Sequence, residues 1–393
     1  MRYLTAGESH GPGLTAILEG MPAGVPVTAA AITRDLQRRM QGYGRGGRMR
    51  IERDTVEIQA GVRHGKTLGS PIALIIRNLD WENWRRTMAA ESEGEAGPPE
   101  RPPVTRPRPG HADLSGGLKF DQHDLRNVLE RASARETAAR VAVGAVCKCL
   151  LQEFAIEIVG HVVNMGGVAA ETEGLNPVEI REQCEPSPVR CADPLAARAM
   201  MAKVDDAQAK GTSLGGVFEV RVLNLPVGLG THVHWDRRLD GRLAQALMSI
   251  QSVKGVEIGP AFEAARRFGA EVQDEIFYDP ARAERSGGFY RTSNFAGGLE
   301  GGITTGQPLV LRAAMKPIST QVKPLTSVDV LSKETRAAGV ERTDVAAVPA
   351  GAVVGEAVVA FEIARALREK FGGDSLEEMR RNFNAYIEQI RRY

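Results

Sequence analysis

Apolar residues recur every three or four positions in some stretches of the chain and every second position in others, which separates helices from strands. Ile32, Leu36 and Met40 follow Thr28 at helical spacing, so Thr28 caps a helix and Gly42 stops it. Strand-like runs come next: LTAILEG from Leu14, TVEIQAGV from Thr55, SPIALIIRN from Ser70, IEIVGHVVNMG from Ile156, and VFEVRVLNLP after Gly216. From Asp121 the apolar positions Leu125, Val128, Leu129, Ala132, Val143, Val146 and Leu150 predict one long helix. At about 30 residues it would run roughly 45 Å, enough to cross a domain. Leu239, Leu243 and Leu247 mark another helix. The run from Val345 to Phe361 holds Pro349, glycines and Glu356, so it reads as a buried loop and helix rather than a membrane span. Gly372-Gly373 ends that helix, and a capping box, Ser375 to Glu378, opens a last helix over 375–393.

Composition narrows the classes. The chain has 393 residues, 42% hydrophobic and 25% charged, with a net charge of +1. That describes a soluble globular protein and argues against a general nucleic-acid or membrane binder, which would carry a clear basic excess. Cys147, Cys149, Cys184 and Cys191 lack zinc-ligand spacing, so reduced thiols in the cytoplasm are expected. The first residues show neither a signal core nor a transit pattern.

Local motifs add candidate chemistry. In Glu130–Arg140, ERASARETAAR, a continuous helix would stack Arg131 over Arg135 one turn apart. Two guanidinium groups at about 6 Å repel by roughly 3 kcal/mol at an effective dielectric near 20. Solvent, the carboxylates Glu130 and Glu136, or a bound anion would have to answer that repulsion. Gly7–Gly11, GESHG, and the run through Gly110-His111 each flank a histidine with glycine. Arg38, Arg39 and the loop GYGRGGRMR, with Arg45 and Arg48, lack the strand-before, helix-after order of a dinucleotide fingerprint. They also lack the long low-complexity tract of an RNA-binding RGG segment. A basic loop closing over an anion and simple solvent exposure both remain. GVRHGKT, Gly61 to Thr67, falls one residue short of a P-loop and reads as a hairpin turn with Lys66 exposed. Residues 88–104 are acidic and rich in proline and glycine, and are expected to form a mobile surface loop.

Seven segments, in order along the chain, resemble chorismate synthase: GESHG, RPGHAD, ERASARETAARVAVGA, QSVKGVEIG, NFAGGLEGGITTGQP, MKPIST and ERTDVAAVP. The resemblance implies one α+β domain over residues 1–393, a β-α-β sandwich with central helices between two antiparallel sheets, assembled as a homotetramer. It implies a lyase of aromatic amino acid biosynthesis that converts 5-enolpyruvylshikimate 3-phosphate to chorismate by 1,4-anti elimination of phosphate. Reduced FMN is the implied cofactor, and the resemblance also admits NADPH as reductant. His10 would protonate the leaving phosphate, His111 would face the flavin, and Asp344 would help remove the substrate hydrogen. The matching flavin positions are Arg131, Ala132, Ser133, Gln251, Ser252, Gly301, Lys316, Pro317, Ile318, Ser319, Thr320 and Arg342. Arg39, Arg45, Arg48 and Arg135 would serve the anionic substrate or NADPH, since guanidinium forks bind phosphate and carboxylate two bonds at a time.

Overall fold

The computed structural model describes residues 1–46, 54–340 and 344–393. Arg48 and Arg342 therefore lie outside the described residues.

Two antiparallel sheets carry the strands that matter to the site. The first contains β1 (Arg2–Ala6), β2 (Gly13–Glu19), β3 (Glu57–Ala60) and β4 (Ile72–Arg77), in the order β1-β2-β4-β3. The second contains β5 (Glu157–Met165), β6 (Val168–Ala169), β7 (Gly216–Leu223), β8 (Val253–Ile258) and β9 (Leu309–Met315), in the order β8-β9-β7-β5-β6. Alternation sets which face each sheet turns inward. Leu14, Ala16 and Leu18 of β2 are buried beside Ile72, Leu74 and Ile76 of β4, while Ile17 and Glu19 face outward. In the other sheet Phe218, Val220, Val222, Leu309, Leu311 and Ala313 are buried.

The helices that concern the site are α1 (Ala29–Met40), α2 (Asp113–Phe120), α3 (Arg126–Ala132), α4 (Thr137–Gln152), α5 (Leu239–Met248), α6 (Val348–Phe371) and α7 (Leu376–Arg391). Helix α4 packs on β2 and β4, α6 packs on β5 and β7, and the two helices pack on each other. The expected sandwich is thus present: central helices between two antiparallel sheets. Small residues permit the close approach. A Cβ on Gly144 would fall 2.4 Å from the Ala357 Cα. Thr28 caps α1 as expected, its Oγ1 accepting from the Ala31 N–H. The His64-Gly65 turn joins the Val62–Arg63 and Lys66–Thr67 strands and leaves Lys66 exposed, as read from the sequence. The capping box forms by half: Ser375 accepts from the Glu378 N–H, but the Glu378 carboxylate takes the N–H of Asp374.

One expectation is corrected. No continuous helix runs from Asp121, which instead ends α2 in the left-handed conformation, φ 53°. The helix predicted across Glu130–Arg140 breaks at Ser133, whose backbone is extended (φ −61°, ψ 145°). Its Oγ accepts from the Arg135 N–H at 3.3 Å and starts a separate 3-10 turn, Ala134–Glu136, ahead of α4. A serine side chain that offers the backbone this alternative bond competes with the helix, and periodicity does not register that competition.

Candidate active site

The break at Ser133 opens one wall of a cavity of about 390 Å³, within the range of small-molecule sites. Its walls come from the β1–β2 turn, the end of α1, the loop ahead of α2, the α3–α4 junction, the α5–β8 turn, the segment after β9 and the start of α6. Thr137 and Ala347, at the N-termini of α4 and α6, both line it. Unsatisfied N–H groups and the helix dipole make such ends favourable for anions.

Arginines answer one another through carboxylates. Asp54, 2% exposed, accepts from Arg39 Nη2 at 2.9 Å and Arg135 Nη1 at 2.7 Å. One carboxylate is thus shared by two guanidinium groups at the wall. Arg45 pairs with Asp344 at 2.6 Å, and the other Asp344 oxygen accepts the Gly46 N–H at 2.7 Å. Lys316 reaches the Gly110 carbonyl at 2.6 Å, tying the histidine loop to the end of β9.

Two histidines on the cavity wall are each held by a buried carboxylate. His10 Nδ1 lies 2.9 Å from Glu130, and its backbone N–H donates to the same carboxylate at 2.8 Å. His111 Nδ1 hydrogen-bonds Asp113, which also accepts from Arg108 Nε at 2.9 Å. Burial alone would raise the Asp113 carboxyl, but His111 and Arg108 prevail and hold it well below the usual carboxylate range.

The structure gathers most of the residues picked from the sequence. His10, His111 and Asp344 line the cavity together with Ala132, Ser133, Gln251 and Ser252. Lys316, Ile318, Ser319 and Thr320 join them, as do Arg39, Arg45 and Arg135. Three described residues stay off the wall. Arg131 turns onto the β1–β2 turn, donating to the carbonyls of Thr5 at 2.9 Å and Gly7 at 3.2 Å, because the kink at Ser133 separates it from Arg135. Pro317 lies between wall residues without joining them. Gly301 sits in the Leu299–Thr304 hairpin, near His232 and away from the cavity. Sequence reasoning missed Asp54 and Arg108, and gave Asp113 no role in the site. Only the position of Asp113 two residues after His111 could have been noticed.

A basic cleft with two carboxylate-held imidazoles and a separate aspartate is the equipment of an enzyme that moves protons on a small anionic substrate. Comparison with known proteins makes this specific. The family model for chorismate synthase matches residues 1–367. The chorismate synthase of Pelobacter propionicus is 58% identical over 393 residues, covering 100% of this chain and 99% of that one. That of Aquifex aeolicus is 57% identical over 403 residues, with 100% and 99% covered. A crystal structure of chorismate synthase matches with a TM-score of 0.79 at 47% identity, over 100% of this chain and 98% of the other. The chain belongs to the chorismate synthase family, and its activity is the formation of chorismate in the shikimate pathway.

Proposed function

We propose that the cavity converts 5-enolpyruvylshikimate 3-phosphate to chorismate and phosphate by 1,4-anti elimination, with reduced FMN as cofactor. The observation that carries this reading is the meeting of His10, His111 and Asp344 on one cationic wall, although they come from distant parts of the chain. In the balanced reaction a C–H proton leaves to a base, its electron pair forms a new ring double bond as the existing one shifts, and the allylic C–O bond breaks towards phosphate, leaving the ring diene of the product. Asp344 is the base-side group, Arg39 and Arg135 hold anionic oxygens, and His10 delivers a proton to the departing phosphate.

The residues fit a flavin. Gln251 Oε1 is buried without a hydrogen-bond partner among the described residues, so it can accept from a ring N–H. Ala132 and Gly351 offer walls free of long side chains, and Lys316 with Ser319 and Thr320 suits polar oxygens. When bound, reduced flavin would lend an electron and regain it, leaving no net redox change. His111, fixed by Asp113, would supply a proton where negative charge develops.

The proposal extends to a homotetramer in the cytoplasm. Exposed apolar residues along 262–289, with Phe268 83% exposed, support assembly, and no described helix is long and apolar enough to cross a membrane. NADPH is a candidate reductant, held by Arg39 and Arg45. Anaerobic mixing of the protein with dithionite-reduced FMN and substrate tests the central reading. Chorismate absorbance and free phosphate should rise together, and a folded protein that yields neither overturns it. Repeating the assay with NADPH as sole reductant tests the source of electrons.

A further inference from the structure

The ring of His10 is constrained in two independent directions. Along its edge, Nδ1 lies 2.9 Å from both oxygens of Glu130, a residue 1% exposed. The Ser9 N–H also donates to the Glu130 carbonyl at 3.0 Å, so the turn carrying the histidine is anchored to α3 at two levels. Across its plane, the imidazole stacks on Trp84 with centroids 3.8 Å apart and an interplanar angle of 27°. Trp84 is itself fixed: its Nε1–H donates to Asp80 at 2.9 Å, and the Arg101 guanidinium lies 3.9 Å from its ring centroid. Among the described residues, the charged groups around this stack include Asp80, Glu130, Arg101 and Arg126, the last 4.0 Å from Glu130.

We propose that Glu130 and Trp84 are positioning residues for His10: the carboxylate fixes its tautomer, the indole fixes its plane, and Nε2 is thereby aimed at the leaving phosphate. The inference rests on the reading above that His10 protonates phosphate. A carboxylate on Nδ1–H leaves Nε2 as the atom that gives up its proton and holds a lone pair afterwards. In the step itself the Nε2–H bond breaks, an O–H bond forms on phosphate, and the ring keeps its Nδ1 proton on Glu130. Trp84 also links residues 81–104, which carry Arg101, to the chemistry. The acidic, proline-rich segment therefore supports the site through the indole.

The tautomer is read directly on ligand-free protein labelled with 15N-histidine, above the pH where imidazole ordinarily titrates. His10 should show a proton-bearing Nδ1 and a lone-pair Nε2, and Glu130→Gln should scramble that pattern. A wild-type ring protonated mainly at Nε2 overturns the proposal, whether or not any variant folds. In turnover, Glu130→Gln should lower kcat about 100-fold with little change in KM. Placed on His10→Ala it should cost nothing further, because it acts through the ring. Equal losses in both backgrounds would mean a merely structural role and overturn it. Trp84→Ala should likewise lower kcat, with Trp84→Phe recovering most of it. A failure of Phe to rescue overturns the stacking role. If His10→Ala turns over at the parent rate, the phosphate-protonation reading fails, while the labelled-histidine spectrum still decides whether Glu130 holds the ring.

Discussion

Asp54 explains how Arg39 and Arg135 coexist in a buried wall. Each guanidinium is under a tenth exposed, and each meets a different oxygen of that one carboxylate. Asp54→Asn would remove the carboxylate that both buried guanidinium groups share. It should destabilise the ligand-free protein by about 3 kcal/mol, the scale of breaking a buried pair. Inorganic phosphate should restore part of the loss, and thermal melts with and without phosphate check both effects. For Asp344, the proposed base-side group, Asp344→Asn should leave substrate and the proposed flavin bound while turnover falls at least about 100-fold. Equilibrium dialysis beside single-turnover kinetics separates the two. His10, His111 and Asp344 were legible because glycine flanks and family motifs mark them. Asp54 and Trp84 were not, since an aspartate after a basic loop and a tryptophan in a polar stretch carry no local signal of what they touch.

Helices were read well where apolar spacing, an apolar run or a cap marks them and poorly where a side chain rewired the backbone. Apolar spacing located α1 and α5, the apolar run from Val345 located α6, which is buried nearly all round, and the Ser375 cap located α7. Across ERASARETAAR every residue tolerates a helix, yet the Ser133 hydroxyl and the burial of Arg135 and Glu136 favour a kink. Ser133→Ala should cost about 1 kcal/mol in urea unfolding through loss of the cap. It should also weaken ligand binding, by letting Arg135 leave the wall. Gly144→Ala tests the seam between α4 and α6, where the added methyl meets Ala357 backbone atoms. Overpacking there should cost about 1–3 kcal/mol, measured by the same unfolding curves.

Across the whole molecule, buried ion pairs tie the layers together. Glu356, fully buried in α6, accepts from Arg38 of α1 at 2.7 Å and the Gly160 N–H of β5 at 2.8 Å, with Lys148 of α4 on the same carboxylate. Burial opposes its charge, yet Lys148, Arg38 and Arg190 hold its carboxyl well below the usual range. Glu185 shares Arg38 and Arg190; although burial pulls the other way, their hydrogen bonds lower its carboxyl from 4.5 to about 2. A depressed carboxylate contributes stability that is complete above its unfolded value and fades as pH falls towards its folded one. Melting temperature should therefore fall as pH drops through 4.5 towards 2, with Glu185→Gln losing less over that interval. On the outer surface, Phe268→Glu with Tyr278→Glu should shift the proposed tetramer to smaller species in sedimentation velocity, with each subunit still folded.

The sequence by itself determined the alternation that makes both sheets, the apolar stripes of the long helices, and the family motifs that name the chemistry. These are local patterns, repeated at the period of the backbone, so they survive without knowledge of neighbours. Only the tertiary structure decided that Arg131 leaves the wall while Arg135 joins it, that Asp54 bridges Arg39 and Arg135, and that Glu130 and Trp84 clamp His10. Each of those outcomes is a balance of desolvation and charge between residues far apart in the chain. No window of sequence contains both sides of that balance.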